Sequence, residues 1–481
     1  MRTLRKISSN GIASPAHNAD CVRAMEINAA NILISEHSIT DQRGAATKNS
    51  VCEFTVTLQT RIRKLGVIGS MKTTILASLA LCQFSGALEV HEWGTFTVLS
   101  GPNGMQVPWY ASFSDLASLP KFVSPGFSGK NGLARIRMET PVLYFYPEKE
   151  MDVSVEVSFA NGSITETFPH SHGGKMTVDP GMGMGTVSYG GKWVGKLHNP
   201  TDRKALAEIP VIEVSENDEP YGAAREVPDA WIFESGLKEI PGLKVQPHFP
   251  QVEKFIFYRG AGDAHIPVST SVSGDKVTVK NEWENALPFG VALRVRNGKA
   301  SWVAVPNVAG RPVGDAPAMN QTQVKFPAPD RSIDEVESEL AAVWKKALAE
   351  QGLTSAEASA MVETWRKTWF RESGDRVLTL IPQAPVDAML PLEITPAPEK
   401  VTRVFVARFE MISDEAAAGL VALLNDSKAV DEEKFARFQK MELGRFGPGA
   451  MDIAVDVKRW EMMNNFHALR IYGENTKTSA R

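Results

Sequence analysis

The chain has 481 residues, a formal net charge of −4, 43% hydrophobic residues and 22% charged residues. This composition is ordinary for a globular protein and gives material for two or three domains. No basic block follows Ala87, and phosphate binding needs a concentrated cationic face, so a nucleic-acid partner is not expected. No apolar run of the ~20 residues that cross a bilayer follows Ala87 either, so no membrane span is predicted there.

Residues 71–87, "MKTTILASLALCQFSGA", have the pattern of a secretory signal peptide. A basic start precedes a short apolar run, and small residues precede the end of the segment, as signal peptidase requires. The pattern predicts export, with cleavage after Ala87 and a mature chain that begins at Leu88 in the periplasm or outside the cell.

Residues 1–70 show no sustained helical or strand periodicity. Because a signal peptide normally opens a chain, we expect translation to start at Met71 and the preceding residues to be spurious. The alternative is a genuine disordered N-terminal arm.

The three cysteines are Cys21, Cys52 and Cys82, and all precede the predicted cleavage site. The predicted mature chain is therefore cysteine-free. Export permits disulfides, but this chain would have neither a disulfide nor a thiolate site.

The predicted fold is mainly β, with an α+β C-terminal part. Residues 88–325 contain short alternating segments separated by turns, which is typical of an antiparallel β-sandwich. Asn161-Gly162 and Asn297-Gly298 predict tight hairpin turns, because these dipeptides accept positive φ angles. Residues 326–445 predict a smaller helix-containing α+β unit, and residues 446–481 a peripheral tail.

Two capping boxes predict where helices begin in the C-terminal part. Ser332 with Glu335 starts the first, which should end before Gly352, and Thr354 with Glu357 starts the second. The second helix has an apolar face, formed by Met361, Val362, Trp365 and Trp369.

Several longer strings are recognisable: "HEWGTFT", "METPVLYFY", "EKFIFYRGAG", "MVETWRKTWF", "LPLEITPAP" and "RVFVARFEMI". With these strings the chain resembles a group of uncharacterised exported bacterial proteins whose mature chains open with HEWGTFT. The resemblance covers most of Val90–Ile412. It implies export and a common fold, and it brings no established activity or catalytic residue.

Three charged residues are candidates for a catalytic site. Arg259 and Asp263 follow an apolar strand on a glycine turn, where an arginine can bind a carboxylate or phosphate; the alternative is a structural Arg–Asp bridge. Glu139 precedes a buried strand and is a candidate acid or base, or it pairs with Arg137.

The histidines predict a candidate divalent-metal site. His170 and His172 have the i, i+2 spacing that places two rings on one strand face, with Glu166 on the same parity. The alternative is a solvated glycine-rich loop. A third ligand would come from a distant histidine, and His91 is the first candidate. His91 and Glu92 are adjacent, so on a strand they should point to opposite faces and serve as packed residues rather than one site.

The remaining candidates for a third metal ligand are His198, His248 and His265.

The sequence lacks four common catalytic or nucleotide-binding motifs: a P-loop, a dinucleotide-binding glycine motif, a nucleophile elbow and an H-E-x-x-H motif. We therefore expect an exported protein that binds an envelope component, a glycan or another protein. The alternative is a secreted hydrolase, with or without a divalent metal, whose site lies near Glu139, His170, His172 and Arg259.

Overall fold

The structure is a computed structural model that describes residues 87–110, 119–125, 133–179, 186–212, 220–239, 248–312, 320–426 and 431–441, with positions 443, 446 and 450. These residues belong to a unit that begins at Ala80. The predicted extension 1–70, the signal segment except Ala87, and most of the predicted tail 446–481 lie outside the described residues.

The strands are, in chain order, β1 Leu88–Ser100, β2 Gln106–Val107, β3 Trp109–Tyr110, β4 Ser124–Pro125, β5 Leu133–Ala134, β6 Ile136–Pro147, β7 Met151–Val157, β8 Gly162–Phe168, β9 Met176–Asp179, β10 Thr186–Tyr189, β11 Gly191–His198, β12 Ile232–Ser235, β13 Val252–Glu253, β14 Ile256–Gly262, β15 Val268–Ser273, β16 Lys276–Asn281, β17 Gly290–Arg296, β18 Lys299–Val305, β19 Gln321–Lys325, β20 Arg331–Ser332, β21 Gly374–Ile381, β22 Leu392–Thr395 and β23 Lys400–Met411.

The α-helices are α1 Arg203–Glu208, α2 Ile333–Glu350, α3 Ser355–Phe370, α4 Gln383–Met389, α5 Asp414–Asn425 and α6 Glu432–Gln439, and a 3₁₀ helix spans Pro220–Glu226.

The main sheet has the strand order β20-β18-β17-β21-β23-β1-β6-β14-β8-β4, with β2 paired to β1. Its centre is β1, which runs parallel to β23 and antiparallel to β6. The predicted boundary near residue 325 does not separate two sheets, because β23 pairs with β1, and β21 pairs with β23, in the main sheet. Most side chains of these strands are buried, charged ones such as Glu92 and Arg403 included, because layers pack against both faces at the centre of the sheet.

The two faces of the main sheet have different partners. One face packs against two smaller sheets, with the orders β13-β12-β11-β7-β22 and β15-β16-β19, in a core that includes Phe96, Trp193 and Phe405. The opposite face packs against α2 and α3, in a core that includes Trp93 and Trp344. The fold is mainly β with helices towards the C-terminal end, as the sequence predicts.

The two predicted Asn-Gly hairpins have different outcomes. Asn297-Gly298 joins β17 to β18, and both residues have positive φ, so this prediction is confirmed. The hairpin at Asn161-Gly162 is wrong: β7 pairs with β11 and β22, whereas β8 pairs with β14 in the main sheet. A turn is present, with φ of 56° at Asn161. The chain changes sheet at this turn, because β7 pairs within the five-stranded sheet and β8 pairs within the main sheet.

Both predicted capping boxes are present. The Ser332 hydroxyl accepts from the Glu335 amide at the start of α2, and the Thr354 hydroxyl accepts from the Glu357 amide at the start of α3. Gly352 follows α2 with φ of 104°, a conformation that favours glycine. The predicted apolar face of α3 is buried in the helix-side core.

Candidate ligand-binding pocket

Glu139 and Arg259 both lie in the main sheet, at the level where its strand pairing is irregular. The pairings β1–β6, β6–β14 and β14–β8 are each irregular at the same level of the sheet, next to these residues. Thr140 has φ of 48°, and its hydroxyl accepts a hydrogen bond from Arg259 Nε at 3.3 Å. Bulges re-aim side chains and occur often near functional sites. Here, however, Glu139 and Arg259 are each only 5% exposed.

Asp263 does not join this pair. Its carboxylate lies 2.7 Å from Nη1 of Arg135, and both side chains are about two-fifths exposed. The predicted Arg259–Asp263 clamp is therefore not formed, because Arg259 points into the sheet while Asp263 lies on the surface beyond the strand end. Glu139 has Arg137 as a close neighbour, with Arg137 Nε 3.8 Å from its carboxylate.

The predicted metal ligands lie in two places. The His170 amide donates to Gln251 at 2.6 Å, and the exposed His172 ring has its Nδ1 3.3 Å from the Lys192 carbonyl. Burial, and then the charge of His172, lower the pKa of His170. His91 is on β1, and β6 and β14 separate β1 from β8, which leads to His170. Three strand spacings amount to about 14 Å, so the structure does not bring His91 to the other two rings.

His91 belongs instead to a closed cluster on the helix side of the sheet. Its Nδ1 lies 2.9 Å and 3.0 Å from the two carboxylate oxygens of Glu357, and the Tyr146 hydroxyl donates to the same carboxylate at 2.6 Å. Burial raises the pKa of Glu357, but the hydrogen bond and charge of His91, with the Tyr146 hydrogen bond, outweigh it and leave that pKa below its ordinary value.

Glu92, the next residue, lies on the opposite face and forms a second buried cluster. Arg403 donates from Nε to the Glu92 carboxylate at 2.5 Å, and the Tyr258 hydroxyl donates to the other carboxylate oxygen. Burial lowers the pKa of Arg403, but the charge of Glu92 and the hydrogen bond to Asp387 outweigh it and raise that pKa above its ordinary value. Burial and Glu92 likewise raise the pKa of Tyr258.

This second cluster opens to a pocket of about 390 Å³. The pocket is formed by α4, β22, β23 and the segment between the two strands, and its lining comprises Gln383, Asp387, Pro391, Leu392, Glu393, Ile394, Pro398, Val401 and Arg403. A cleft of this size, with mostly apolar walls and a few fixed polar groups, is the usual form of a small-molecule site.

Arg403 is held firmly at the pocket. Its Nη1 donates to Asp387 at 2.9 Å and to the Leu390 carbonyl at 2.7 Å. Its Nη2 is buried and has no hydrogen-bond partner, which is costly for a charged donor unless a ligand or water supplies an acceptor. The Gln383 side chain bonds to the backbone at Val401 and Arg403, which fixes α4 against β23.

Carboxylates outnumber cations at the pocket. Arg403 faces two carboxylates, Glu92 and Asp387, and the exposed Glu393 pairs with Lys175. A second anion would be repelled by these carboxylates. A neutral ligand with hydroxyl groups could accept from Arg403, donate to Asp387 and lay its C–H face on the apolar wall.

Sequence reasoning missed Arg403 and Asp387. The signal for Arg403 was available, because a charged residue within the apolar strand "RVFVARFEMI" must have a partner when it is buried. The partner could not be read from the sequence, since Glu92 lies 311 positions away. Glu92, Tyr258 and Arg403 come from three of the strings that carry the resemblance, and the pocket wall comes from "LPLEITPAP".

Within the described residues, no helix is both long enough and apolar enough to cross a membrane. No protein-family model matches the chain, and no curated protein matches it.

Solved structures give only distant similarity. The Fcho1 Mu homology domain from Danio rerio, with bound Eps15 peptide, aligns with a TM-score of 0.24 at 8% identity, covering 68% of this chain and 97% of that one. The yeast delta-COP-I mu-homology domain, complexed with a Dsl1 WxWxV peptide, aligns with a TM-score of 0.20 at 6% identity, covering 68% and 96%. Such TM-scores carry no argument about fold or function.

Proposed function

We propose that the protein is an exported binding protein and that its ligand is a neutral saccharide held in the pocket at Arg403. The observation that carries the proposal is the buried Arg403 Nη2, which has no hydrogen-bond partner beside a pocket of about 390 Å³. The two carboxylates of Glu92 and Asp387 more than offset the charge of Arg403, so a hydroxyl oxygen suits Nη2 better than a carboxylate or phosphate does.

Export rests on the signal-like segment 71–87 and on the position of the first strand. Since β1 begins at Leu88, cleavage after Ala87 would leave every described strand and helix whole. N-terminal sequencing of the protein from its native host tests this part separately. A mature N-terminus at Leu88 is expected, and peptides from residues 1–60 would contradict it.

The hydrolase alternative has less support. Glu139 and Arg259 are buried within the sheet and do not line the pocket, and His170 and His172 lie beyond a different strand. None of these candidate catalytic groups lines the pocket at Arg403, which supports binding rather than chemistry at that pocket.

Calorimetric titration of the purified protein with glucose, maltose and N,N′-diacetylchitobiose tests the proposal. We expect at least one of these saccharides to bind one-to-one, and Asp387→Ala to weaken that binding about tenfold or more, since a hydrogen bond to a charged group contributes about 1.5–3 kcal/mol. Glu350→Gln, on the exposed surface of α2, is the matched control and should leave affinity unchanged. Binding of none of the three, or equal loss in both variants, would contradict the proposal.

A further inference from the structure

A histidine and two carboxylates meet on the outer face of the five-stranded sheet. His198 Nδ1 lies 3.9 Å from Glu150 Oε1 and 3.9 Å from Asp202 Oδ2. The three ligand atoms all lie within 4.8 Å of one another. None of these residues lines the Arg403 pocket, so this cluster is a separate feature of the molecule.

Backbone structure places each of the three groups. His198 ends β11, and the pairing of Leu197 with Met151 puts Glu150, just before β7, next to it. Asp202 caps α1, and its Oδ1 accepts from the Lys204 and Ala205 amides. Those bonds hold the side chain, while Oδ2 is the oxygen that faces His198.

The other ring nitrogen of His198 already has a hydrogen-bond partner. Its Nε2 lies 2.7 Å from a Glu234 carboxylate oxygen, and a carboxylate can only accept, so Nε2 carries the proton of this hydrogen bond. In the neutral ring Nδ1 then presents a lone pair to two carboxylates. That arrangement is unfavourable unless a cation lies between them, and the cation is either a proton on Nδ1 or a metal ion.

We propose that Glu150, His198 and Asp202 bind Zn²⁺, with Glu234 orienting the imidazole. Histidine nitrogen and carboxylate oxygen are ordinary zinc ligands, and a carboxylate on the second ring nitrogen is the usual support for a metal-bound histidine. Ligand atoms about 2.1 Å from a tetrahedral zinc lie about 3.4 Å apart, so the two 3.9 Å separations, and the separation of the two carboxylates, which is within 4.8 Å, must shorten when zinc binds. Lys196 does not block the site, since it pairs with the other oxygen of Glu150, Oε2.

The site differs from the one that the sequence predicts. His170 and His172 are not part of it, and His198 contributes the only imidazole among its proposed ligands. The proposal does not depend on saccharide binding, because the two sites share no residue.

Titration of the purified metal-free protein with Zn²⁺ alone tests the proposal. We expect one-to-one binding that His198→Ala abolishes. Glu234→Gln should weaken the binding ~10–100-fold, which is typical when a metal-bound histidine loses the hydrogen-bond partner of its other nitrogen. Asp202→Asn should also weaken binding strongly while keeping α1, because asparagine caps a helix as well as aspartate does. Circular dichroism of each variant verifies that the fold is retained.

His172→Ala and His248→Ala are the matched controls, since both rings are exposed, and neither should change the affinity. Absence of zinc binding would overturn the proposal and leave a proton on His198 Nδ1 as the cation. Zinc binding that survives both His198→Ala and Asp202→Asn, or that is lost in His172→Ala, would also overturn it.

Discussion

His91 and Glu92 are neighbours in sequence, yet they belong to two regions that differ in accessibility. His91 meets Glu357 and Tyr146 under α3, in a cluster closed by the helix layer. Glu92 meets Arg403 and Tyr258 on the other face, where the arginine also lines an open pocket. Each cluster has a buried carboxylate and a tyrosine that donates to it.

The difference lies in what covers each cluster. On the helix side the cluster lies between β1, β6 and the start of α3, so its hydrogen bonds join α3 to the main sheet. On the sheet side, β22 and β23 leave a gap beside Arg403. A buried charged pair is weak evidence for stability by itself, and on this side we propose that the arginine also binds a ligand. Four substitutions test this contrast.

Breaking the arginine cluster should have the largest effect. Glu92→Ala leaves the Arg403 charge buried with only the half-exposed Asp387 as a charged partner, and removal of one member of a buried pair costs about 3–5 kcal/mol. Urea unfolding measures the change. The double variant Glu92→Leu, Arg403→Met should be more stable than Glu92→Ala, because it leaves no unpaired charge; a cost equal to or larger than that of the single variant would contradict this account.

On the helix side, Trp365→Ala tests how much the buried aromatic face of α3 contributes to stability. Trp365 is 4% exposed, and its ring lies 6.2 Å from that of Trp369. Truncation should cost about 3 kcal/mol, the lower end of the range for a buried aromatic. Coincident urea midpoints for variant and parent would show that Trp365 does not stabilise the packing of α3.

Glu357→Gln should give a smaller effect that depends on pH. The folded-state pKa of Glu357 lies below its ordinary value, so the ionised carboxylate stabilises the fold above the unfolded pKa of ~4.3, and that contribution is lost as pH falls through the folded pKa. At pH 7 the variant should be less stable by about 1–3 kcal/mol. The gap should shrink below about pH 4; a gap that stays constant down to pH 3 would contradict the assignment.

Asp263→Asn should have the smallest effect. Its bridge to Arg135 is exposed, and exposed ion pairs contribute about 0–1 kcal/mol. Thermal unfolding in low and high salt measures the pair, and salt should erase the small difference from the parent. A loss comparable to that of Glu92→Ala would show that Asp263 belongs to a larger network.

The helices illustrate what could be predicted. The capping boxes at Ser332 and Thr354 fixed both helix starts, because a cap is a contact between residues three positions apart. The sequence did not reveal that Glu357 also binds His91 and Tyr146, since those partners lie 266 and 211 positions away.

Local pattern by itself determined the mainly β character, the turns and the helix boundaries, because alternation, Asn-Gly dipeptides and caps act over a few residues. Strand pairing was decided only in the tertiary structure. Of the two Asn-Gly turns, one leads to a hairpin at Asn297 and the other to a change of sheet at Asn161. The Arg403 pocket depends on the parallel pairing of β1 with β23, which sets Glu92 opposite Arg403. No short-range pattern encodes that register, since it follows from burying both strands at the centre of one sheet.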